Sequence, residues 1–288
     1  MAELRLNGVS FVYSDGTPFK KTALDNIDFV FKSGIITGLI GHTGSGKSTL
    51  VQLLNGLHKP TTGTVMLDGK DIWENPKDIT KIRHKVGLVM QYPEYQLFEE
   101  TVKKDIEYGP KNMSLDADEI EKRVKEAAFF CGITEDLFEK SPFDLSGGQK
   151  RRVAIAGVMA MKPDILILDE PAAGLDPVGR EDILGGIRTY QKKTGTTVII
   201  VSHSMEDMAV YCDELVVMNK GSICMSGKTS DVFVNSDKLI EIGLDVPQIT
   251  HLFKKMREKG INVPENVFTV YQAKNIILSL FDSKGGKV

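Results

Sequence analysis

Apolar and polar positions change their period several times along the chain. Residues 4–12 are rich in strand formers, residues 26–31 alternate apolar with polar, and Gly16 and Pro18 mark a turn between them. Residues 34–40 form a short apolar run that ends in a glycine loop and reads as a buried strand. Beyond the loop, Leu50, Val51, Leu54 and Leu57 fall three or four apart, which predicts a helix over 47–57. From 91 to 161 the pattern is mostly helical, with one amphipathic segment over 116–131. Residues 165–168 and 197–201 are continuous apolar runs of the kind found in parallel strands buried on both faces. Helical stretches separate them, so the expected fold class is α/β with a mainly parallel sheet. After Gly227 the character changes: Pro247 opens a helix with Ile249, Leu252, Phe253 and Met256 on one face, and a second helical pattern covers 276–281. Residues 284–287 are expected to fray.

Composition narrows the class. Of 288 residues, 41% are hydrophobic and 26% charged, enough apolar surface to offset the entropy of ordering and to exclude disorder along the whole chain. The net charge of −3 argues against a general nucleic-acid binder. Cys131, Cys212 and Cys224 are odd in number and widely spaced, with neither a CxxC pattern nor a disulfide framework, so a reducing cytosol is the expected setting. No stretch approaches the roughly 20 apolar residues that cross a bilayer. Residues 1–5 lack the apolar core of a secretion signal. A membrane role is therefore expected to be peripheral, through protein partners.

The candidate chemistry begins in the glycine loop. Gly41, His42, Thr43, Gly44, Ser45, Gly46, Lys47 and Ser48 fit GxxxxGK[ST], and Thr49 continues the segment. Such glycines let backbone N–H groups turn onto phosphate oxygens, and the following helix adds the positive end of its dipole. Lys47 is expected to reach the β- and γ-phosphates and Ser48 to ligate Mg²⁺. His42 has no role of its own and reads as a loop-surface residue. Asp169 ends the apolar run 165–168, placed to hold Mg²⁺; Glu170 follows, a carboxylate able to accept a proton from attacking water. A second glycine turn, Leu145-Ser146-Gly147-Gly148-Gln149, precedes a helical run from Arg151 to Met161. Ser146 is a good N-cap, and read alone the turn is a capped helix; with the glycine amides it is also an anion site at a helix start.

At this turn the sequence resembles the ATP-binding cassette ATPases of membrane transporters, whose signature is LSGGQ. The resemblance covers residues 3–235 as the cassette, with 236–288 as a C-terminal helical extension. It implies a P-loop NTPase core, an N-terminal antiparallel β subdomain and a helical signature subdomain. It also assigns Tyr13 (Phe11 competing) to adenine stacking, Gln91 to the glutamine loop and the metal, Asp176 to the D-loop, and His203 to the switch position beside Glu170. In this family the signature of one subunit closes on ATP and Mg²⁺ bound by the other. Many relatives carry Thr or Ser where this chain has Ala172; that loss removes no phosphate or metal ligand, so a hydrolytically competent site is expected.

The stretch from Gln91-Tyr92-Pro93-Glu94-Tyr95-Gln96-Leu97-Phe98 to Gly109-Pro110 looks like the energy-coupling factor group of vitamin and metal uptake systems, and the loop 41–46 with Gly16-Thr17-Pro18-Phe19 like its second ATP-binding subunit, A-prime. This implies a heterodimer with a sister ATP-binding subunit, a transmembrane coupling subunit, an exchangeable substrate-capture subunit, no nucleic acid, and a peripheral place on the cytoplasmic side of the cell membrane. Pro93, Tyr95, Leu97 and Phe98 are candidates for docking short coupling helices, or are core. The tail face packs on the partner ATPase or on its own domain. The alternatives are a cobalt/nickel-type uptake ATPase, a soluble cassette ATPase acting on DNA or ribosomes, and a non-hydrolysing scaffold. Heptad arms and a second phosphate loop are missing, against the soluble reading, and intact Glu170 and His203 stand against the scaffold.

Overall fold

A computed structural model describes residues 2–283; the expected fraying of 284–287 lies outside the described residues. The strands are β1 (Leu4–Tyr13), β2 (Lys21–Phe31), β3 (Ile36–Gly41), β4 (Thr62–Leu67), β5 (Lys70–Asp71), β6 (Val86–Val89), β7 (Ile165–Asp169), β8 (Thr197–Val201), β9 (Glu214–Asn219) and β10 (Ser222–Lys228). The helices are α1 (Lys47–Leu54), α2 (Ile79–Lys85), α3 (Val102–Asn112), α4 (Ala117–Phe130), α5 (Gly147–Ala160), α6 (Pro177–Thr194), α7 (Met205–Tyr211), α8 (Thr229–Val234), α9 (Ser236–Glu241), α10 (Gln248–Glu258) and α11 (Val270–Ser283).

Two sheets result. One is antiparallel in the order β2-β1-β4-β5; the other runs β10-β9-β3-β8-β7-β6, parallel except for β10. Side chains of the central strands alternate between two cores, as the two-residue period demands. Leu166, Leu168, Val198 and Ile200 face α3–α6, whereas Ile165, Ile167, Ile199 and Val201 face α1 and the antiparallel sheet. Burial on both faces explains why these strands read as unbroken apolar runs. The expected α/β class with its antiparallel N-terminal sheet and helical middle is what the chain adopts.

The differences are local. The helix predicted to 57 stops at Leu54, because the buried Asn55 side chain donates to the Val86 carbonyl and Gly56 turns to φ 72°. β6 lies outside the expected strands although residues 86–90 form a short apolar run; it is four residues long, and its Gly87 leaves room for Val158 and Pro163. In the tail, Phe253 is fully buried among Val263, Val267 and Ala273, with Ile249 and Met256 packed alongside, while Leu252 is exposed. The face thus packs chiefly on the tail itself. Beyond residue 235, Leu239, Leu244, Val246 and Phe268 join the main core, where the Phe268 ring lies 5.8 Å from that of Phe233.

Candidate nucleotide site

The loop between β3 and α1 owes its shape to two glycines. Gly46 adopts φ 106°, and a Cβ there would lie 2.7 Å from the Ala23 carbonyl oxygen; at Gly41 it would lie 2.5 Å from that of Met218. Lys47 is buried, and its Nζ donates to the carbonyls of Gly41 at 2.5 Å and His42 at 3.1 Å. The His42 ring turns away, with Nδ1 2.8 Å from the Thr43 carbonyl and Nε2 3.1 Å from Asn219 Oδ1. Ser45 is fully buried under the loop.

A cavity of about 330 Å³ opens above this loop. Thr43, Gly44, Gly46, Lys47, Ser48 and Thr49 form its floor, with Tyr13, Gln91, Asp169, Glu170 and His203 around it. The Tyr13 hydroxyl lies 3.2 Å from Thr49 Oγ1, whereas Phe11 turns its ring onto His58. Lys21, Thr22 and Ala23, at the start of β2, supply a wall that nothing in the sequence marks.

Charge is concentrated at the ends of β7 and β8. Burial raises the Asp169 carboxyl, opposed by the hydroxyl that Ser48 donates to it and by the Lys47 charge. Burial, reinforced by Asp169, pushes Glu170 up to about 7. Burial also lowers Lys47 and His203; the carboxylates Glu170 and Asp169 oppose the shift at Lys47. Glu170 is held at φ 55°, an unusual backbone for a non-glycine, with its N–H on the Val201 carbonyl at 2.9 Å. Its Oε1 stands 3.5 Å from His203 Nε2, too far for a firm hydrogen bond, and has no hydrogen-bond partner.

The second glycine turn lies elsewhere. Ser146 caps α5: its hydroxyl accepts from Gln149 N at 3.3 Å, and Gln149 Oε1 accepts from Ser146 N at 3.0 Å. Ser146, Gly148 and Gln149 line a separate cavity of about 500 Å³ together with Asp176, which caps α6 through Gly179 N at 2.7 Å. The sequence-predicted residues therefore divide into two groups. Those of the phosphate loop meet Tyr13, Gln91, Asp169, Glu170 and His203, while Ser146, Gly147, Gly148, Gln149 and Asp176 stay apart from them.

Of the aromatic stretch after Gln91, Pro93 and Leu97 are buried, whereas Tyr95 is 84% and Phe98 58% exposed. Phe98 packs edge-on against Tyr108 at the mouth of an apolar groove lined also by Gly109, Gly157 and Met161.

Known proteins resemble this chain over most of its length. The family pattern described as ABC transporter matches residues 24–173. The energy-coupling factor transporter ATP-binding protein EcfA2 of Clostridium perfringens is 53% identical over 278 residues, covering 96% of this chain and 98% of its own length. The EcfA2 protein of Clostridium tetani is 51% identical, with 98% of each chain covered. Among solved structures, cbiO1 of Clostridium perfringens, part of the ABC transporter complex cbiONQ, superposes with a TM-score of 0.74 at 42% identity, covering 87% of this chain and 98% of that one. The ATP-binding cassette MJ0796, in a dimeric state bound to ADP and Pi, gives 0.71 at 29% identity, covering 78% and 98%.

Proposed function

Because this chain belongs to the ABC transporter family, among its energy-coupling factor ATP-binding subunits, we propose that two groups of its residues serve two different nucleotides. The phosphate loop binds this subunit's own ATP. The Ser146–Gln149 turn and Asp176 close on ATP held by a sister ATP-binding subunit. The activity is ATP hydrolysis coupled to transport, and a soluble ATPase acting on DNA or ribosomes is not favoured, since relatives matching nearly the whole chain are transporter subunits.

One observation carries the reading: Lys47, Ser48, Gln91, Asp169, Glu170, His203 and Tyr13 come from distant segments to line one cavity. The ammonium of Lys47, now on two loop carbonyls, is within the floor where phosphates sit on the loop amides of Gly41 to Thr49. His42 contributes its backbone only, its ring being turned onto Asn219. Tyr13 offers a ring for adenine. The free Oε1 of Glu170 accepts a proton from water, and its raised affinity for that proton suits a general base near neutral pH. His203, beside it, reads the γ-phosphate.

Ser48, Gln91 and Asp169 would hold Mg²⁺. The donor set fits, being a hydroxyl, an amide oxygen and a buried carboxylate, all hard oxygens. When bound, the ion neutralises charge on the β- and γ-phosphate oxygens.

The reading divides the chain into a cassette, 3–235, and a C-terminal extension, 236–288. It gives the subunit a peripheral place on the cytoplasmic side of the cell membrane, in a heterodimer with its sister. A transmembrane coupling subunit docks near Tyr95 and Phe98, and an exchangeable substrate-capture subunit selects the vitamin or other micronutrient. Among the described residues no helix is long and apolar enough to cross a membrane; in this reading the chain's attachment comes through those partners.

Glu170→Gln in the assembled transporter tests the proposal. ATP affinity is expected to stay within about twofold and turnover to fall about 100-fold or more, the lower range for loss of a general base. Normal turnover removes the assignment.

A further inference from the structure

Arg151 lies one turn beyond the Ser146 cap, on α5, with its side chain only 5% exposed. Its Nε donates to Glu94 Oε2 at 3.1 Å and its Nη2 to Glu94 Oε1 at 2.9 Å, a bidentate pair. Its Nη1 donates to the carbonyl of Ala173. These partners sit on different segments. Glu94 is in the short turn Pro93–Gln96 that follows Gln91 and carries the exposed Tyr95. Ala173 lies between Glu170 and Asp176, and its own N–H donates to the Glu170 carbonyl at 3.3 Å.

One guanidinium therefore fastens the surface after Gln91, the signature helix and the loop leaving the general base. A planar fork fixes direction as well as distance, which a lysine ammonium does not. A buried ion pair adds little net stability compared with apolar residues of the same volume, so stability alone does not account for it. We propose that Arg151 is a positioning residue: it carries displacement of the Glu94 turn to the Ala173 loop and to α5, so that docking at Tyr95 and Phe98 sets both Glu170 and the Ser146 turn. The inference rests on the proposed function and adds the link between its docking surface and its two nucleotide groups.

The test is steady-state ATP hydrolysis by the assembled, reconstituted transporter carrying Arg151→Lys or Glu94→Gln. Both keep the volume of the side chain nearly unchanged. The expected result is a kcat lowered about fivefold or more with KM for ATP within about twofold, in both variants. A kcat within about twofold of the unsubstituted complex, or a KM that deteriorates in step with kcat, overturns the proposal. Should Arg151→Lys fail to assemble, Glu94→Gln decides alone. An unsubstituted complex without ATPase activity refutes the proposed function instead.

Discussion

Two helices of this protein begin at glycines that follow or adjoin a small polar residue, and they do so for opposite reasons. At the start of α1 the glycines are required by the chain itself: Gly46 has a left-handed backbone, and any side chain at Gly41 or Gly46 would strike a carbonyl of β9 or β2. At the start of α5 nothing in the chain asks for them. A Cβ on Gly147 would meet no atom within 4 Å, and one on Gly148 would make only an ordinary contact with Leu175 at 3.4 Å. Neither has a positive φ. The cap of α5 is already complete through Ser146 and Gln149. Glycines with no internal cause leave a bare, donor-rich surface, which is what a ligand approaching from outside needs.

Substitutions can break that contrast. The largest effect is expected for Gly46→Ala, where the methyl group meets the Ala23 carbonyl and the backbone is strained: about 1–3 kcal/mol of stability should be lost. ATP binding by the isolated chain should also fall to near background; melting curves and nucleotide titration check both. Gly147→Leu should leave melting and ATP affinity of the isolated chain almost unchanged, yet lower turnover of the assembled transporter about 100-fold, because the side chain stands in the open space over the turn and keeps the phosphates from its N–H groups, an effect on the scale of one lost aimed donor. Equal damage to the isolated chain would erase the contrast. Ser146→Ala sharpens it at the smallest scale: loss of the cap should cost about 1 kcal/mol in a melting experiment, with ATP affinity at the Lys47 cavity unaffected.

What could be read from the sequence follows the same division between local and distant causes. Residues 197–201 read as a strand and form one, since burial on both faces is written as five consecutive apolar or β-branched residues. Ser146 advertises the helix it caps, because a cap is a contact across three residues. The end of α1 is decided instead by Val86, far along the chain, which accepts the hydrogen bond of Asn55. β6 does have a local signal, the apolar run 86–90, but it is short and holds Gly87, which makes way for α5; its pairing with β7 is seen only in three dimensions. In the site, the loop 41–48 and the pair Asp169–Glu170 are legible because their chemistry is contiguous. Lys21, Thr22 and Ala23 become a wall of the cavity only when β2 passes Gly46, and Glu94 meets Arg151 only in three dimensions.

The main core does not end at residue 235. Leu239, Leu244, Val246 and Phe268 close it, with Phe268 against Phe233. A chain halted at residue 235 would lose these four side chains from that core, and with them the Gln248 N–H that donates to Glu206 Oε1 on the helix following His203, at 3.2 Å. Cutting the chain there would leave Phe233 without the ring of Phe268 and uncover oily surface that the full-length chain keeps dry.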